Sequence, residues 1–107
     1  ELLRQLNKRG KRITLNLHPA DGVQPFEERY KIGVGHPVVP VTYENKGVVF
    51  EKYFPVEKEK EYPDANVSYE TFMCKHMVEM ESLSPCVEVF PGKKVLHREI
   101  WKLRRAE

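Results

Sequence analysis

The sequence predicts an α+β fold: a small sheet of about four strands, largely antiparallel, with one amphipathic helix packed on a face. Three observations support this prediction. Short stretches near both ends alternate apolar and polar residues, two Val-rich stretches flank a glycine turn, and residues 67–83 repeat apolar residues at helical spacing. The length of 107 residues fits one core of modest size, so residues 1–107 are expected to form a single domain.

The N-terminal residues predict a short helix followed by a strand. In ELLRQLNKR, Leu2, Leu3 and Leu6 share one side of a helix, and Gly10 favours its end because glycine tolerates the left-handed conformation found there. The next segment, RITLNLH, alternates apolar and polar residues, which is typical of a strand with one buried face.

The middle of the chain contains the clearest hairpin signal. HPVVPVTY and GVVFEKYF are rich in Val and aromatic residues, and Gly47 suits the positive φ of a short turn between them. Pro40 lacks the N–H that a sheet ladder needs, which places the first strand at a sheet edge or a bulge. Residues 55–65, PVEKEKEYPDA, are expected to form a charged surface loop. The preceding FEERYKIGVG gives no decisive signal.

The segment NVSYETFMCKHMVEMESLSP predicts the one amphipathic helix, over about residues 67–83. A side-chain oxygen of Asn66 or Ser68 can cap its start, and Pro85 ends it by removing an amide hydrogen. We interpret its methionines as flexible core filler, with a groove for a partner as the alternative. The positions of its apolar face are Tyr69, Phe72, Met73, His76, Met77, Met80 and Leu83.

The C-terminal residues predict a strand, a turn and an element whose type the pattern leaves open. CVEVF alternates as a strand, and the PG that follows makes a turn. In residues 95–105, Leu96, Ile100 and Leu103 fit a short terminal helix, whereas the preceding turn favours a return strand.

The net charge of +2 hides two basic ends around an acidic middle. Residues 1–12 hold five cations against one carboxylate and residues 93–107 hold six against two, so each end carries +4 and residues 13–92 carry −6. Clustered Lys and Arg bind polyanions by neutralising phosphates, although a solvated charged face is the simpler alternative. The candidate nucleic-acid-binding residues are Arg4, Lys8, Arg9, Lys11, Arg12, Lys93, Lys94, Arg98, Lys102, Arg104 and Arg105.

Trp101 lies among the last of these cations. We interpret it as a half-buried anchor against the sheet, because an indole has a large apolar surface. Stacking of its ring on an unpaired base is the alternative.

The possible nucleophiles and metal ligands do not form a recognisable site. On a helix, Cys74 and His76 would lie about 200° apart around the axis and could not act as nucleophile and base. A zinc site made from these two residues with Cys86 and His97 matches none of the usual ligand spacings. The two cysteines are expected to be reduced thiols, with a Cys74–Cys86 disulfide as the alternative. We therefore predict no catalytic residue, no metal and no cofactor.

The order helix, strand, hairpin, helix, together with Pro37, Tyr43 and Gly47, resembles the later half of thioredoxin-like domains found in some mitochondrial ribosomal and respiratory-complex subunits. The resemblance covers roughly residues 2–82. Since the redox Cys-x-x-Cys is absent and the charged loop of residues 55–65 departs from that pattern, the resemblance assigns no site residue.

These features predict a non-catalytic structural subunit of a large, RNA-containing, ribosome-like assembly that docks through its basic terminal segments. RNA and neighbouring protein subunits are the expected partners, with no small-molecule substrate and no membrane. The alternative is a protein–protein interaction module or an accessory subunit of a complex without RNA, and a small enzyme that uses a histidine comes third. The location stays unknown from the sequence, with an intracellular one favoured, an organelle included. The first residues lack the features of a secretory signal, but a targeting segment removed before Glu1 would leave the same sequence.

Overall fold

The regular secondary structure of the described part of the chain is almost entirely β-strand. The computed structural model describes the backbone of residues 6–9 and 12–15 and all atoms of residues 29–74 and 77–107. The α+β prediction is therefore wrong, since a single helical turn is the only helix among these residues. The elements are β1 (Leu6–Arg9), β2 (Arg12–Leu15), β3 (Tyr30–Val34), β4 (Val41–Asn45), β5 (Val48–Tyr53), α1 (Pro63–Asn66), β6 (Tyr69–Met73), β7 (Val78–Ser82) and β8 (Ile100–Arg105).

The strands form three small sheets. β1 and β2 make a two-stranded antiparallel pair, the second sheet has the order β3–β6–β7, and the third has the order β4–β5–β8. The chain divides into two compact units, one made of Glu1–Ile32 and Thr71–Met80 and the other of Gly33–Glu70 and Glu81–Glu107. The second unit contains the whole β4–β5–β8 sheet.

The predicted amphipathic helix over residues 67–83 is wrong, because this segment forms the strands β6 and β7. The Cys74 N–H donates to the Met77 carbonyl oxygen at 3.0 Å, and the Leu83 N–H donates to the Ser68 carbonyl oxygen at 3.0 Å. Tyr69 and Met73, four residues apart, are both buried, and this spacing puts two side chains on one face of a helix or of a strand. The apolar spacing of this segment therefore fits a helix or a strand, and backbone hydrogen bonds between strands select the strand. The helix on which the thioredoxin-like resemblance depended is therefore missing.

The predictions for the two ends are partly corrected. The short N-terminal helix is wrong over Leu6–Arg9, which is strand β1, while the strand expected in RITLNLH is confirmed over Arg12–Leu15. No strand is assigned to CVEVF, and the open question over residues 95–105 is answered by strand β8. Residues 30–34, which gave no decisive signal, form β3.

The predicted β4–β5 hairpin is confirmed. Asn45 pairs with Val48 across a two-residue turn in which Lys46 (φ 50°) and Gly47 (φ 77°) both have positive φ. This backbone suits a two-residue hairpin turn because its twist matches that of the strands. β4 is an edge strand of its sheet and Pro40 lies just before it, as the missing proline N–H predicts.

The charged segment at residues 55–65 is held by Tyr62. Residues 58–61 are exposed, whereas the Tyr62 ring is buried and its hydroxyl oxygen accepts from the Glu57 N–H at 3.0 Å. The Tyr62 N–H donates to Asn66 Oδ1 at 2.8 Å, and the Cys86 N–H donates to the Glu61 carbonyl oxygen at 2.7 Å. Nearby, the Phe54 and Tyr69 rings stack at 5.7 Å in the core of the second unit.

Candidate functional site

Strand β8 presents two different faces to solvent. It is the edge strand opposite β4, and all six of its residues are exposed. Side chains alternate along a strand, so the register with β5 separates them into two sets. We define the basic face as Ile100, Lys102 and Arg104 with their β5 partners Tyr53, Glu51 and Val49. We define the aromatic face as Trp101, Leu103 and Arg105 with their β5 partners Lys52, Phe50 and Val48.

On the aromatic face, the Trp101 ring is held in place yet open to solvent. It meets the Phe50 ring edge to face, with 5.7 Å between centroids, and Lys52 Nζ lies 5.7 Å from its centroid. Even so, 64% of Trp101 is exposed, so the prediction of a half-buried anchor is wrong. An oriented, accessible indole of this kind can stack on a flat ligand.

On the basic face, two cations contact their β5 neighbours without being buried. Lys102 Nζ lies 5.1 Å from the centroid of the Tyr53 ring, and Arg104 Nε lies 3.7 Å from Glu51 Oε2. Both cations are exposed. Surface interactions of this kind contribute about 1 kcal/mol or less, so an incoming anion can compete with them.

Glu99, immediately before β8, joins three parts of the second unit. Its carboxylate accepts hydrogen bonds from the Ser82 hydroxyl and, at 2.9 Å, from Trp101 Nε1, and it pairs with Lys52 Nζ at 3.3 Å. Burial raises the pKa of Glu99, but hydrogen bonds from Ser82, Trp101 and Lys52 and the charge of Lys52 outweigh it, so the pKa is lowered. The ionised Glu99 therefore orients the Trp101 ring through the hydrogen bond that it accepts from Nε1.

Ser82 and His97 lie together beside Glu99. Ser82 Oγ is 2.8 Å from His97 Nε2, and the Ser82 hydroxyl donates to the Glu99 carboxylate. A hydroxyl has a single hydrogen, so in this arrangement the Ser82 hydrogen is directed at Glu99 and not at His97.

A pocket opens beside the basic face. It has a volume of about 300 Å³ and is lined by Tyr53, Phe54, Pro55, Arg98 and Ile100. Its walls are apolar and aromatic, and Arg98 is the charged residue among them. The pocket depends on β8 pairing with β5, because that pairing places Ile100 next to Tyr53.

The structure describes the predicted basic residues unevenly. Arg4 and Lys11 lie outside the described residues, and for Lys8, Arg9 and Arg12 only the backbone of β1 and β2 is described. The six C-terminal cations are all exposed: Lys93, Lys94, Arg98, Lys102, Arg104 and Arg105. Lys93 follows a turn in which its N–H donates to the Phe90 carbonyl oxygen at 3.0 Å.

Sequence reasoning missed the pocket and the Glu99 cluster. A signal for the two faces was present in IWKLRR: on a strand, neighbouring residues such as Trp101 and Lys102 point to opposite faces. The contacts of Glu99 with Ser82 and Lys52 had no local signal, because they join distant parts of the chain.

Some chemistries find no support in the part of the chain that the structure describes. Within residues 29–74 and 77–107, no group of three His, Cys, Asp or Glu side chains could hold a metal ion. Cys74 and Cys86 are free thiols. Cys74 directly follows strand β6 and does not lie on the predicted helix, and His76 lies outside the described residues. None of the described helical residues forms a helix long and apolar enough to cross a membrane.

No protein-family model, no curated protein and no solved structure matches this chain.

Proposed function

We propose that the chain is a non-catalytic subunit that binds single-stranded RNA through its C-terminal segment, residues 93–105, within a larger assembly. The observation that carries this proposal is the exposure of six cations in the same segment as an oriented, accessible Trp101. Cations neutralise phosphates and exposed aromatic rings stack on unpaired bases, which is how sequence-tolerant single-strand binders work.

In this proposal the two faces of β8 have different roles. Lys102 and Arg104 on the basic face are available to phosphates, because their contacts with Tyr53 and Glu51 are weak surface interactions. Trp101 on the aromatic face is available for stacking, because Glu99 and Phe50 hold its ring at the surface. RNA binding through this segment should therefore combine a salt-dependent and a stacking contribution.

The test is a titration of a short, labelled, unstructured RNA over a range of salt concentrations. Neutralising Lys93, Lys94, Lys102 and Arg105 to Gln should lower the slope of log K against log salt by about 3, at about 0.7 per contact for a single strand. The matched control is Lys58→Gln with Lys60→Gln, two exposed cations outside the segment, which should leave the slope unchanged. Failure of the unaltered protein to bind at low salt would overturn the proposal.

A second candidate function is docking to a neighbouring protein subunit, and one specific observation favours it. Large apolar side chains are exposed throughout residues 87–103, and such surfaces mark protein interfaces. They are Val87, Val89, Phe90, Val95, Leu96, Ile100, Trp101 and Leu103. Without its partner, such a chain should self-associate, and Leu96→Ser combined with Leu103→Ser should suppress this in sedimentation experiments. Protein docking is the better assignment if two results are found together. The charge-neutralised variant binds RNA as well as the unaltered protein does, and the Leu96→Ser, Leu103→Ser variant no longer self-associates.

A further inference from the structure

We infer that the pocket lined by Tyr53, Phe54, Pro55, Arg98 and Ile100 holds one unstacked base of the bound strand, with the neighbouring phosphate against Arg98. The inference rests on the proposed RNA binding and adds to it a specific base-binding position. Stacking on Trp101 would take place on the opposite face of β8, so the two contacts are separate.

The size and walls of the pocket suit a single planar group. A volume of about 300 Å³ is at the lower end of the range for ligand pockets, roughly 300–1,000 Å³, which suits one small ring system. Tyr53 supplies a flat ring, while Pro55 and Ile100 supply apolar walls. Bases bind such sites by stacking and apolar contact, whatever their identity.

The charges around the pocket identify the rest of the ligand as anionic. Arg98 lines the pocket, Lys102 Nζ lies 5.1 Å from the centroid of the Tyr53 ring, and Arg104 follows Lys102 on the same face of β8. Side chains two residues apart on a strand are separated by about 6.6 Å, so Lys102 and Arg104 are spaced to meet successive phosphates of an extended strand. Arg98 supplies a third cation at the pocket itself. A planar apolar group joined to a chain of anions is the chemistry of a single-stranded nucleic acid.

Phosphate contacts and base contacts can be separated experimentally. Tyr53→Leu keeps an apolar wall but removes the flat ring, and its matched control is Tyr43→Leu, the same change at a half-buried position on the other face of the sheet. Each variant is tested against a short unstructured RNA and against an abasic strand of the same length. Thermal melting shows that each variant is folded.

For intact RNA, Tyr53→Leu should weaken binding by about 5-fold to 100-fold, the range for loss of one stacked base, without changing the salt slope. Tyr43→Leu should have no comparable effect. For the abasic strand, Tyr53→Leu should change the affinity little. The loss of affinity from removing the bases and the loss from removing the Tyr53 ring are then not additive. In addition, Arg98→Gln should lower the salt slope by about 0.7 for either strand.

Two results would overturn the inference, and they differ in what they say about RNA binding. If the unaltered protein binds RNA but Tyr53→Leu affects intact and abasic strands equally, the pocket holds no base while the proposed function stands. If the unaltered protein binds no RNA, and Tyr53→Leu and Arg98→Gln instead weaken binding of a glutamate-rich peptide containing leucine, the proposed function fails too and the pocket belongs to a protein partner.

Discussion

Strands β5 and β8 have the same length and pair with each other along their whole length, but five of the six residues of β5 are buried or half-buried whereas all six of β8 are exposed. β5 lies in the centre of the sheet, and its Val49 and Lys52 are only 4% and 8% exposed. β8 lies at the edge, and its Leu103 is 71% exposed although leucine is the more apolar residue. The difference shows that residue type alone does not decide which side chains are covered. Large apolar residues therefore stay open to solvent on this edge strand.

The cations of the two strands differ in the same way. Lys52 in β5 is buried and pairs with the largely buried Glu99, whereas Lys102 and Arg104 in β8 project into solvent. A buried cation needs a partner because desolvation without one is costly, but an exposed cation is already stabilised by water. The charge of Lys52 therefore stabilises the fold, whereas the charges of Lys102 and Arg104 stay exposed to solvent.

The largest expected effect comes from placing a carboxylate in each strand. Val49→Asp should lower the free energy of unfolding by about 3–5 kcal/mol, because it buries an unpaired charge in the central strand. Leu103→Asp, the matched change in β8, should alter it by no more than about 0.5 kcal/mol. Urea unfolding followed by circular dichroism measures both. Equal destabilisation would mean that β8 is packed against the protein and would remove the contrast between the strands.

A smaller effect is expected at Glu99, which connects the two strands. Glu99→Gln should cost about 1–3 kcal/mol near neutral pH, because the buried Lys52 loses its charged partner and charged hydrogen bonds are weakened. Since the pKa of Glu99 is lowered from its ordinary value of 4.5, its stabilisation is present above about that pH and is lost as the pH falls through the folded-state pKa.

Thermal melting between pH 3 and pH 7, a range chosen to span that window, measures this contribution. The unaltered protein should lose stability below about pH 4.5 relative to Glu99→Gln, whose amide does not titrate. The exposed Glu59→Gln serves as the control and should follow the unaltered protein. Parallel curves for the unaltered protein and Glu99→Gln would show that the carboxylate does not stabilise the folded state.

The smallest expected effect concerns the two turns that lead into the strands. Gly47→Ala should cost about 1 kcal/mol, because φ is +77° in the tight turn before β5 and the Gly47 carbonyl oxygen also accepts from the Ala106 N–H at 2.8 Å. Gly92→Ala introduces the same conflict at φ +81°, but in an exposed segment that can relax. Gly92→Ala should therefore lower the stability of the folded state by less than Gly47→Ala, and thermal melting measures both. A larger cost at Gly92 would show that the segment before β8 is as tightly packed as the hairpin.

The sequence predicted those features that depend on neighbouring residues. The β4–β5 hairpin follows from Gly47 and the flanking Val-rich strands, because turn chemistry and β-propensity act over a few residues. The concentration of cations in residues 93–105 is a property of composition and needed no structure. The exposure of Trp101 was predicted incorrectly, because an indole is buried only where another element covers it.

Charge layout and turn position were thus determined by the sequence alone, whereas strand pairing was decided by the tertiary structure. The spacing of Tyr69 and Met73 fits a helix or a strand, and hydrogen bonds such as that from Leu83 to Ser68 select the strand. The pocket and the two faces of β8 arise only when Ile100 pairs with Tyr53, far away in the chain. Local preferences are worth about 1 kcal/mol or less per residue, so burial and backbone pairing between distant segments override them.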